Sequence, residues 1–307
     1  MAQRRSLIKQ RLKYSLIGRL WPCQVEQPVF VVGCPRSGTT IFGRIMEQAP
    51  GFTFRYEPKI IWALANPELD VWRILRGRHH GRLYWAAADA TPRDAAWLGR
   101  AFHYEQWRGG GRRLVEKTPL NVMRIEWMHA LFPSAKFIHL VRHARDVALS
   151  LEAAIPRWYP AERYPPRYWS TSRAYGRFRT YASSRPELWH KLSYIAENAR
   201  DYLRGLFVWR CAVSAGREAG KRIGPEHYME LRYETLVTEP ERALRRVFDF
   251  LAEPLPDTVS TFAKTHLKPA SVGKPDPQPE LTEAIAGDLL RELGYTLHPQ
   301  DAAHDLS

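Results

Sequence analysis

The sequence predicts an α/β fold with a central, mostly parallel sheet that is flanked by helices. A short apolar run rich in β-branched residues lies at 28–33, further strand-like runs lie at 136–141 and 227–232, and the apolar spacing of a helix follows each run. The chain has 307 residues, of which 45% are apolar, enough for one large α/β domain or two small ones. Apolar strands that alternate with helices are typical of a buried parallel sheet with covering helices.

Residues 1–27 form a basic segment that precedes the predicted single domain at 28–307. Its apolar residues never form the continuous run of about 20 residues that a membrane-spanning helix needs, nor a signal-peptide core. The segment could form an amphipathic helix that rests on anionic lipid or a partner, or a solvated helix or frayed tail. Peripheral membrane contact therefore stays open. The basic residues are Arg4, Arg5, Lys9, Arg11, Lys13 and Arg19.

The first predicted strand opens into the segment GCPRSGTT at 33–40, which a helical pattern follows. This is the skeleton of a phosphate-binding loop, GxxxxG and a hydroxyl residue, in the strand–loop–helix context that the mechanism requires. Backbone N–H groups at the start of the helix would face a bound anion. Nucleoside-triphosphate loops carry Lys after the second Gly, where this chain has Thr39, and this difference counts against an ATPase or kinase.

Further elements follow in order along the chain. Residues 114–116 predict another strand, and Thr118 and Pro119 predict the cap and first turn of a helix. The aromatic- and Arg-rich stretch at 156–200 predicts a helical insertion beside the site. After about residue 254, frequent prolines are expected to break most regular structure, apart from a short helix near 281–293.

The segment 35–40 resembles the 5′-phosphosulfate loop of the sulfotransferase family that uses 3′-phosphoadenosine-5′-phosphosulfate (PAPS). The resemblance implies a P-loop nucleotide-binding-like fold and PAPS as co-substrate, with 3′-phosphoadenosine-5′-phosphate (PAP) as product. Among branches of the family, the motifs are most similar to the tyrosylprotein-type and bacterial sulfotransferases. The residues that the resemblance assigns to donor binding in this loop are Arg36, Ser37, Gly38, Thr39 and Thr40.

Three later segments resemble other donor-binding elements of the same family. In VRHARDVALS at 141–150, the resemblance places Arg142 and Ser150 on the 3′-phosphate of the donor. In LRYETL at 231–236, Tyr233 would lie close to the nucleotide. Ser271 and Lys274 belong to a segment that is similar to the one closing over the phosphate.

Glu57 and Lys117 are the candidate catalytic residues that the resemblance implies. Glu57 would take a proton from the acceptor as general base, and Lys117 would stabilise charge near the sulfuryl group. The competing interpretations are an exposed loop acid paired with a neighbouring Arg or Lys, and a surface Lys paired with Glu116. His103 and His143 remain alternative bases, because other branches of the family use His.

The formal net charge of +14 favours an anionic ligand, nucleic acid or an anionic membrane surface. Three widely spaced Cys residues favour reduced thiols and a cytoplasmic protein. No HExxH or similar ligand pattern occurs, so we expect no metal requirement. Phosphotransfer from ATP remains an alternative that only the generic loop supports. Nucleic-acid binding remains a second alternative, which the positive charge and the aromatic insertion support.

The acceptor is the least determined part of the function. Aromatic residues at 156–200 could stack on a sugar, a phenol or an apolar chain, or could simply pack. We favour a hydroxyl acceptor, a carbohydrate or other small metabolite, over a protein tyrosine. The ordered donor motifs weigh against a nucleic-acid partner, and the oligomeric state is left open.

Overall fold

A computed structural model describes residues 2–23, 25–75, 81–162, 173–269 and 272–295. The strands are β1 (Val29–Gly33), β2 (Phe52–Tyr56), β3 (Arg113–Lys117), β4 (Lys136–Val141) and β5 (Tyr228–Arg232). The helices are α1 (Ala2–Leu20), α2 (Thr39–Met46), α3 (Lys59–Ala65), α4 (Pro92–Arg108), α5 (Ile125–Leu131), α6 (Ala144–Trp158), α7 (Arg173–Ala182), α8 (Pro186–Trp189), α9 (Asp201–Ile223), α10 (Tyr233–Thr238), α11 (Pro240–Phe250), α12 (Asp257–His266), α13 (Pro279–Thr282) and α14 (Asp288–Glu292).

The five described strands form one all-parallel sheet in the order β2-β3-β1-β4-β5. In the middle of the sheet, Val31 of β1 is in register with Lys117 of β3 and with Ile138 of β4. The predicted α/β fold is therefore confirmed. Because all strands run the same way, the loops after β1, β3 and β4 all lie at the carboxyl end of the sheet, where ligands of such sheets bind.

The core lies on both faces of the sheet. All five residues of β1 are buried, as expected for a central parallel strand covered by helices on both sides. On one face, the rings of Phe30, Trp62 and Phe102 pack together. On the other face, Phe42 and Ile45 of α2 join the second apolar cluster. This packing fixes the position of the loop between β1 and α2.

Strand β2 is an edge strand that the sequence analysis did not predict. It pairs on one side with β3, and Tyr56 is in register with Lys117. Its five residues, FTFRY, alternate in polarity but are only partly buried. This alternation of aromatic and polar residues is the period-two signal that could have identified the strand.

Three helical segments differ in detail from the prediction. Residues Pro119–Arg124 form a 3-10 helix, which α5 then continues. Helix α12 begins directly after Pro256, a position that is compatible with a helix because proline is tolerated at helix starts. The predicted helix near 281–293 is present as α13, a π-helical turn at Glu283–Gly287, and α14.

Helix α1 packs against α4. The hydroxyl of Tyr14 donates a hydrogen bond of 2.7 Å to Glu105, whose carboxylate also pairs with Arg55 of β2. Gly18 lies so close to Trp97 that an added Cβ would be 2.1 Å from the indole. None of the helices among the described residues is long and apolar enough to cross a membrane.

Candidate donor and catalytic site

The loop after β1 turns tightly toward the start of α2. The N–H of Ser37 donates to the carbonyl of Cys34 at 3.1 Å, and Gly38 caps the helix with a φ of 89°. A side chain on Gly38 would also meet the ring of Tyr233, since an added Cβ would lie 2.2 Å from it. The close approach brings the nucleotide-side candidate Tyr233 directly against the loop.

Arg36, Arg142 and Ser150 form one cluster beside this loop. Nε of Arg36 donates to the hydroxyl of Ser150 at 2.9 Å, and Nη1 of Arg142 donates to the carbonyl of Arg36 at 3.2 Å. The guanidinium of Arg142 also stacks 4.8 Å from the ring centre of Tyr233. Residues from three separate motifs therefore lie together at the carboxyl end of the sheet.

The electrostatics of this cluster favour an anion. Burial lowers the pKa of Arg36, and the neighbouring charges of Arg157 and Arg142 lower it further. The carboxylate of Asp146 lies 3.8 Å from Arg142. A bound phosphate or sulfate would offset the repulsion among the arginines.

Ser37 offers an independent test of whether the loop fits an anionic group. Its side chain is fully buried, and its hydroxyl has no hydrogen-bond partner in the described protein. A buried hydroxyl without a partner is energetically costly. A phosphate or sulfate oxygen would accept its hydrogen bond, so the loop fits the donor that the motif implies.

The segment around Lys274 is tied to the first turn of α6. The buried carboxylate of Asp146 accepts hydrogen bonds from the backbone N–H groups of Gly273, at 3.0 Å, and Lys274, at 3.1 Å. Lys274 therefore lies beside the helix that carries Ser150. Ser271 lies outside the described residues. Asp146 was missed because an acidic residue in a first turn also suits the helix dipole.

Lys117, which is buried, and Glu57, which is half-buried, form an ion pair at the ends of β3 and β2. The Lys117 side chain is fully buried, and its Nζ lies 2.9 Å from Oε1 of Glu57 and 3.3 Å from the hydroxyl of Thr40. Tyr56 covers the ammonium with its ring centre 3.6 Å away. Lys117 is thus no surface residue, and it joins the phosphate loop to the candidate base.

The ladder between β2 and β3 holds Glu57 in this position. The N–H of Glu57 donates to the carbonyl of Lys117 at 2.8 Å. The φ of Glu57 is 40°, in the left-handed region that residues other than glycine seldom adopt. Such strain is common at functional sites. Lys59 binds the second carboxylate oxygen of Glu57 at 2.7 Å, whereas Arg55 pairs with Glu105 instead.

Burial acts to raise the pKa of Glu57, but hydrogen bonds and charges from Lys59 and Lys117 outweigh it. The net pKa of this carboxyl lies below its usual range. Glu57 is therefore ionised at neutral pH and able to accept a proton. Its position within reach of the phosphate loop suits a general base, whereas the lowered pKa makes the carboxylate a weaker base than an ordinary Glu.

Glu116 points to the opposite face of the sheet from Lys117, as successive strand residues do. Its carboxylate accepts hydrogen bonds from the indole of Trp62 and from the side chains of Thr118 and Asn121. Burial raises the pKa of Glu116 to about 7. The predicted alternative, a surface pair between Lys117 and Glu116, is contradicted because the two side chains occupy different faces.

The two alternative histidine bases have other contacts. Nδ1 of His103 lies 2.9 Å from the carbonyl of Pro22, and the ring packs against Trp21 at the junction of α1 and α4. Nδ1 of His143 accepts a hydrogen bond from the N–H of Arg145 and caps α6. The ring of His143 also packs edge-on against that of Tyr295, with the ring centres 5.2 Å apart.

A cleft of about 600 Å³ lies between residues 81–84 and helix α7 with the turn that follows it. It is lined by Arg82, Arg177 and Arg185 and by Tyr84 and Tyr181. None of the donor-side candidates lines it.

Among the described aromatic side chains of the insertion, some are buried and some are exposed. Tyr175, Phe178 and Tyr181 are buried, whereas Trp158, Trp189 and Tyr194 are exposed.

Known proteins resemble this chain in sequence. A family model described as Sulfotransferase family matches residues 28–188 and 170–257. Nodulation protein NoeE of Sinorhizobium fredii is 28% identical over 229 residues, which cover 71% of this chain and 48% of NoeE. A protein-tyrosine sulfotransferase of Drosophila melanogaster is 24% identical over 251 residues, which cover 78% and 41%. The chain spans about half the length of these relatives or less.

Solved structures with the same fold include two sulfotransferase domains. The domain from the curacin biosynthetic pathway superposes with a TM-score of 0.56 at 18% identity, covering 90% of this chain and 100% of that domain. The domain of the Synechococcus PCC 7002 olefin synthase superposes with a TM-score of 0.53 at 18% identity, covering 91% and 99%. At this level of identity, the likeness concerns the fold.

Proposed function

Since the chain belongs to the sulfotransferase family, we propose that it transfers the sulfuryl group of PAPS to a hydroxyl acceptor. The observation that carries the proposal is the cluster of Arg36, Arg142 and Ser150 against the phosphate loop. This cluster offers one binding place for the 5′-phosphosulfate and a second for the 3′-phosphate. A donor with two separate anionic groups fits both.

Residues of the loop and of α6 would bind different parts of the donor. Arg36, Ser37 and the N–H groups at the start of α2 would hold the 5′ side, and Arg142 and Ser150 the 3′-phosphate. Tyr233 would pack beside the nucleotide, and Lys274 would approach from the segment that Asp146 anchors. The Thr residues of the loop, Thr39 and Thr40, would add hydroxyl donors.

PAPS brings an activated sulfuryl group, so the protein has to position the acceptor, remove its proton and offset charge on the leaving phosphate. Glu57 would take the acceptor's proton on a carboxylate oxygen. Lys117, 2.9 Å from that carboxylate and 3.3 Å from Thr40, would place its positive charge between base and loop. Arginine, lysine and N–H groups can supply the needed stabilisation, and we expect no metal requirement.

The acceptor is proposed to be a carbohydrate or another hydroxyl-bearing metabolite that contacts the insertion at 156–200. Support comes from exposed Trp158 and Trp189, which could stack on a ring. Trp158 follows Arg157, whose charge acts on Arg36 of the donor cluster. The acceptor would then approach from the C-terminal end of α6.

The direct test is incubation with sulfur-labelled PAPS and a panel of extracted acceptors, followed by mass spectrometry for an added sulfo group. We expect label transfer that persists in EDTA. Parallel incubation with ATP and Mg²⁺ tests phosphotransfer, and filter binding tests a nucleic-acid partner. Phosphorylated products, or transfer that stops when the metal is chelated, would contradict the proposal.

A further inference from the structure

Helix α1 presents a line of apolar side chains to solvent. Residues at every fourth position are exposed by more than half, a spacing that puts them on one side of a helix. Over these positions the helix advances about 18 Å at 1.5 Å per residue. The exposed residues are Ile8 at 56%, Leu12 at 64%, Leu16 at 59% and Leu20 at 78%, and we refer to them as the α1 stripe.

The opposite side of α1 is fixed to the body of the protein. Tyr14 is buried and donates its hydroxyl hydrogen bond to Glu105 of α4. Gly18 lies against the Trp97 indole so closely that no side chain would fit between them. Arg11 donates to the carbonyl of Ile74. With these contacts in place, the helix cannot roll to cover the stripe.

The charges around the stripe have one sign. Lys9 and Arg19 are exposed on the same side of the helix. Residues 2–20 contain six basic and no acidic residues, and the first acidic residue of the chain is Glu26. Past the end of the helix, Trp21 packs 5.1 Å from Trp107, an indole that is 62% exposed. Exposed tryptophan and lysine-flanked leucines are typical of helices that lie in a membrane interface.

We propose that α1 docks on the surface of a bilayer that contains anionic lipids. The stripe would enter the boundary between headgroups and acyl chains, while Lys9 and Arg19 would remain at the level of the lipid phosphates. Docking of this kind leaves the helix parallel to the membrane plane. The proposal concerns a surface separate from the donor cluster and does not rest on sulfuryl transfer.

Charge decides between a membrane and a second copy of the chain as the occupant. A twofold pairing of the α1 stripe would set Lys9 and Arg19 of one copy near the same residues of the other, with no carboxylate on this helix to balance them. An anionic bilayer supplies both an apolar layer and the opposite charge. The complementarity therefore favours lipid.

The test is co-sedimentation of the full chain with vesicles of phosphatidylcholine alone and of phosphatidylcholine mixed with phosphatidylglycerol. We expect binding to the mixed vesicles at least tenfold stronger than to the neutral ones, and weaker binding as salt rises. The Leu12→Glu/Leu16→Glu variant should lose most of this binding. Lys9→Ala/Arg19→Ala should weaken binding to mixed vesicles several-fold and leave binding to neutral vesicles unchanged.

Two matched controls separate the stripe from general effects. Thr261→Glu/Thr265→Glu adds two carboxylates with the same spacing at exposed positions of α12, and Lys221→Ala/Arg246→Ala removes two exposed cations outside α1; both should bind as the unaltered chain does. Full vesicle binding by Leu12→Glu/Leu16→Glu would overturn the proposal. It would also fail if the unaltered chain ignored mixed vesicles, or formed a dimer that this variant disperses.

Discussion

Two clusters at the carboxyl end of the sheet differ in how their charged groups are paired. In the cluster of Arg36, Arg142 and Ser150, the arginines contact a hydroxyl, a carbonyl, an aromatic ring and, at 3.8 Å, the carboxylate of Asp146. In the cluster of Glu57, Lys59 and Lys117, each carboxylate oxygen has its own ammonium partner. The first cluster therefore favours an external anion, whereas both ammonium groups of the second already lie 2.7 and 2.9 Å from a carboxylate oxygen.

The difference indicates a division of labour. A site with surplus positive charge gains most when a phosphate or sulfate binds, so it suits donor recognition. A site whose carboxylate is kept ionised suits proton acceptance. Lys117 connects the two functions, because its Nζ contacts both Glu57 and Thr40 of the loop.

The largest expected effect comes from Glu57→Gln, which keeps the shape of the side chain but cannot take a proton. Turnover should fall by roughly 10²–10⁴-fold, the usual contribution of general-base catalysis. Donor affinity should stay within a few-fold, because the arginine cluster is unchanged. Steady-state kinetics with a saturating acceptor, or slow PAPS hydrolysis before the acceptor is known, measures the first effect, and calorimetry measures the second.

Glu47→Gln is the matched control for this variant, since Glu47 is an exposed carboxylate at the end of α2. It should retain full activity. Near-normal sulfation by Glu57→Gln would show that Glu57 is a structural residue and would contradict its assignment to proton acceptance. The search for a base would then return to His103 and His143.

A second effect should appear in Arg142→Ala. Affinity for PAP should fall by about 1.5–3 kcal/mol, the scale of a lost charged hydrogen bond. Affinity for an analogue without the 3′-phosphate should change far less. Calorimetry on both ligands checks this, with Arg246→Ala, an exposed arginine of α11, as the unaffected control. Equal losses for both ligands would remove Arg142 from the 3′-phosphate site.

The smallest effect concerns the pH dependence of the second cluster. Lys59 and Lys117 hold the pKa of Glu57 below its usual range, so the base stays ionised as pH falls toward that lowered pKa. Lys59→Met removes one of the two ammonium partners, and burial should then move the acid limb of kcat/KM to higher pH. An unchanged limb would show that Lys59 does not influence the base.

Local patterns were sufficient to predict β1, β4, β5 and the phosphate loop. Strands β1 and β4 appear as largely apolar runs, β5 has the alternating sequence YMELR, and the loop combines glycine, hydroxyl and strand–helix context within eight residues at 33–40. The assignment of Arg36 and Ser150 to one donor site was implied only by family resemblance, and the hydrogen bond between them was not predicted. This bond depends on β1 and β4 being neighbours, which is set by the whole sheet.

Other parts of the site depend on contacts between distant residues. The pairing of Glu57 with Lys117 follows from the register of β2 against β3, and β2 is a short edge strand with a weak pattern. The tie between Asp146 and the backbone at Gly273 and Lys274 joins residues more than 120 positions apart. Neither contact leaves a periodic signal in the sequence.

The most direct test of the account is calorimetric titration of the unaltered chain with PAP and with adenosine 5′-phosphate, both in EDTA. The two ligands share the nucleoside and the 5′-phosphate and differ in the 3′-phosphate. If the arginine cluster recognises the donor, PAP should bind at least tenfold more tightly, which corresponds to one charged hydrogen bond or more. Equal affinities, or tighter binding of ATP with Mg²⁺ than of PAP, would contradict the account.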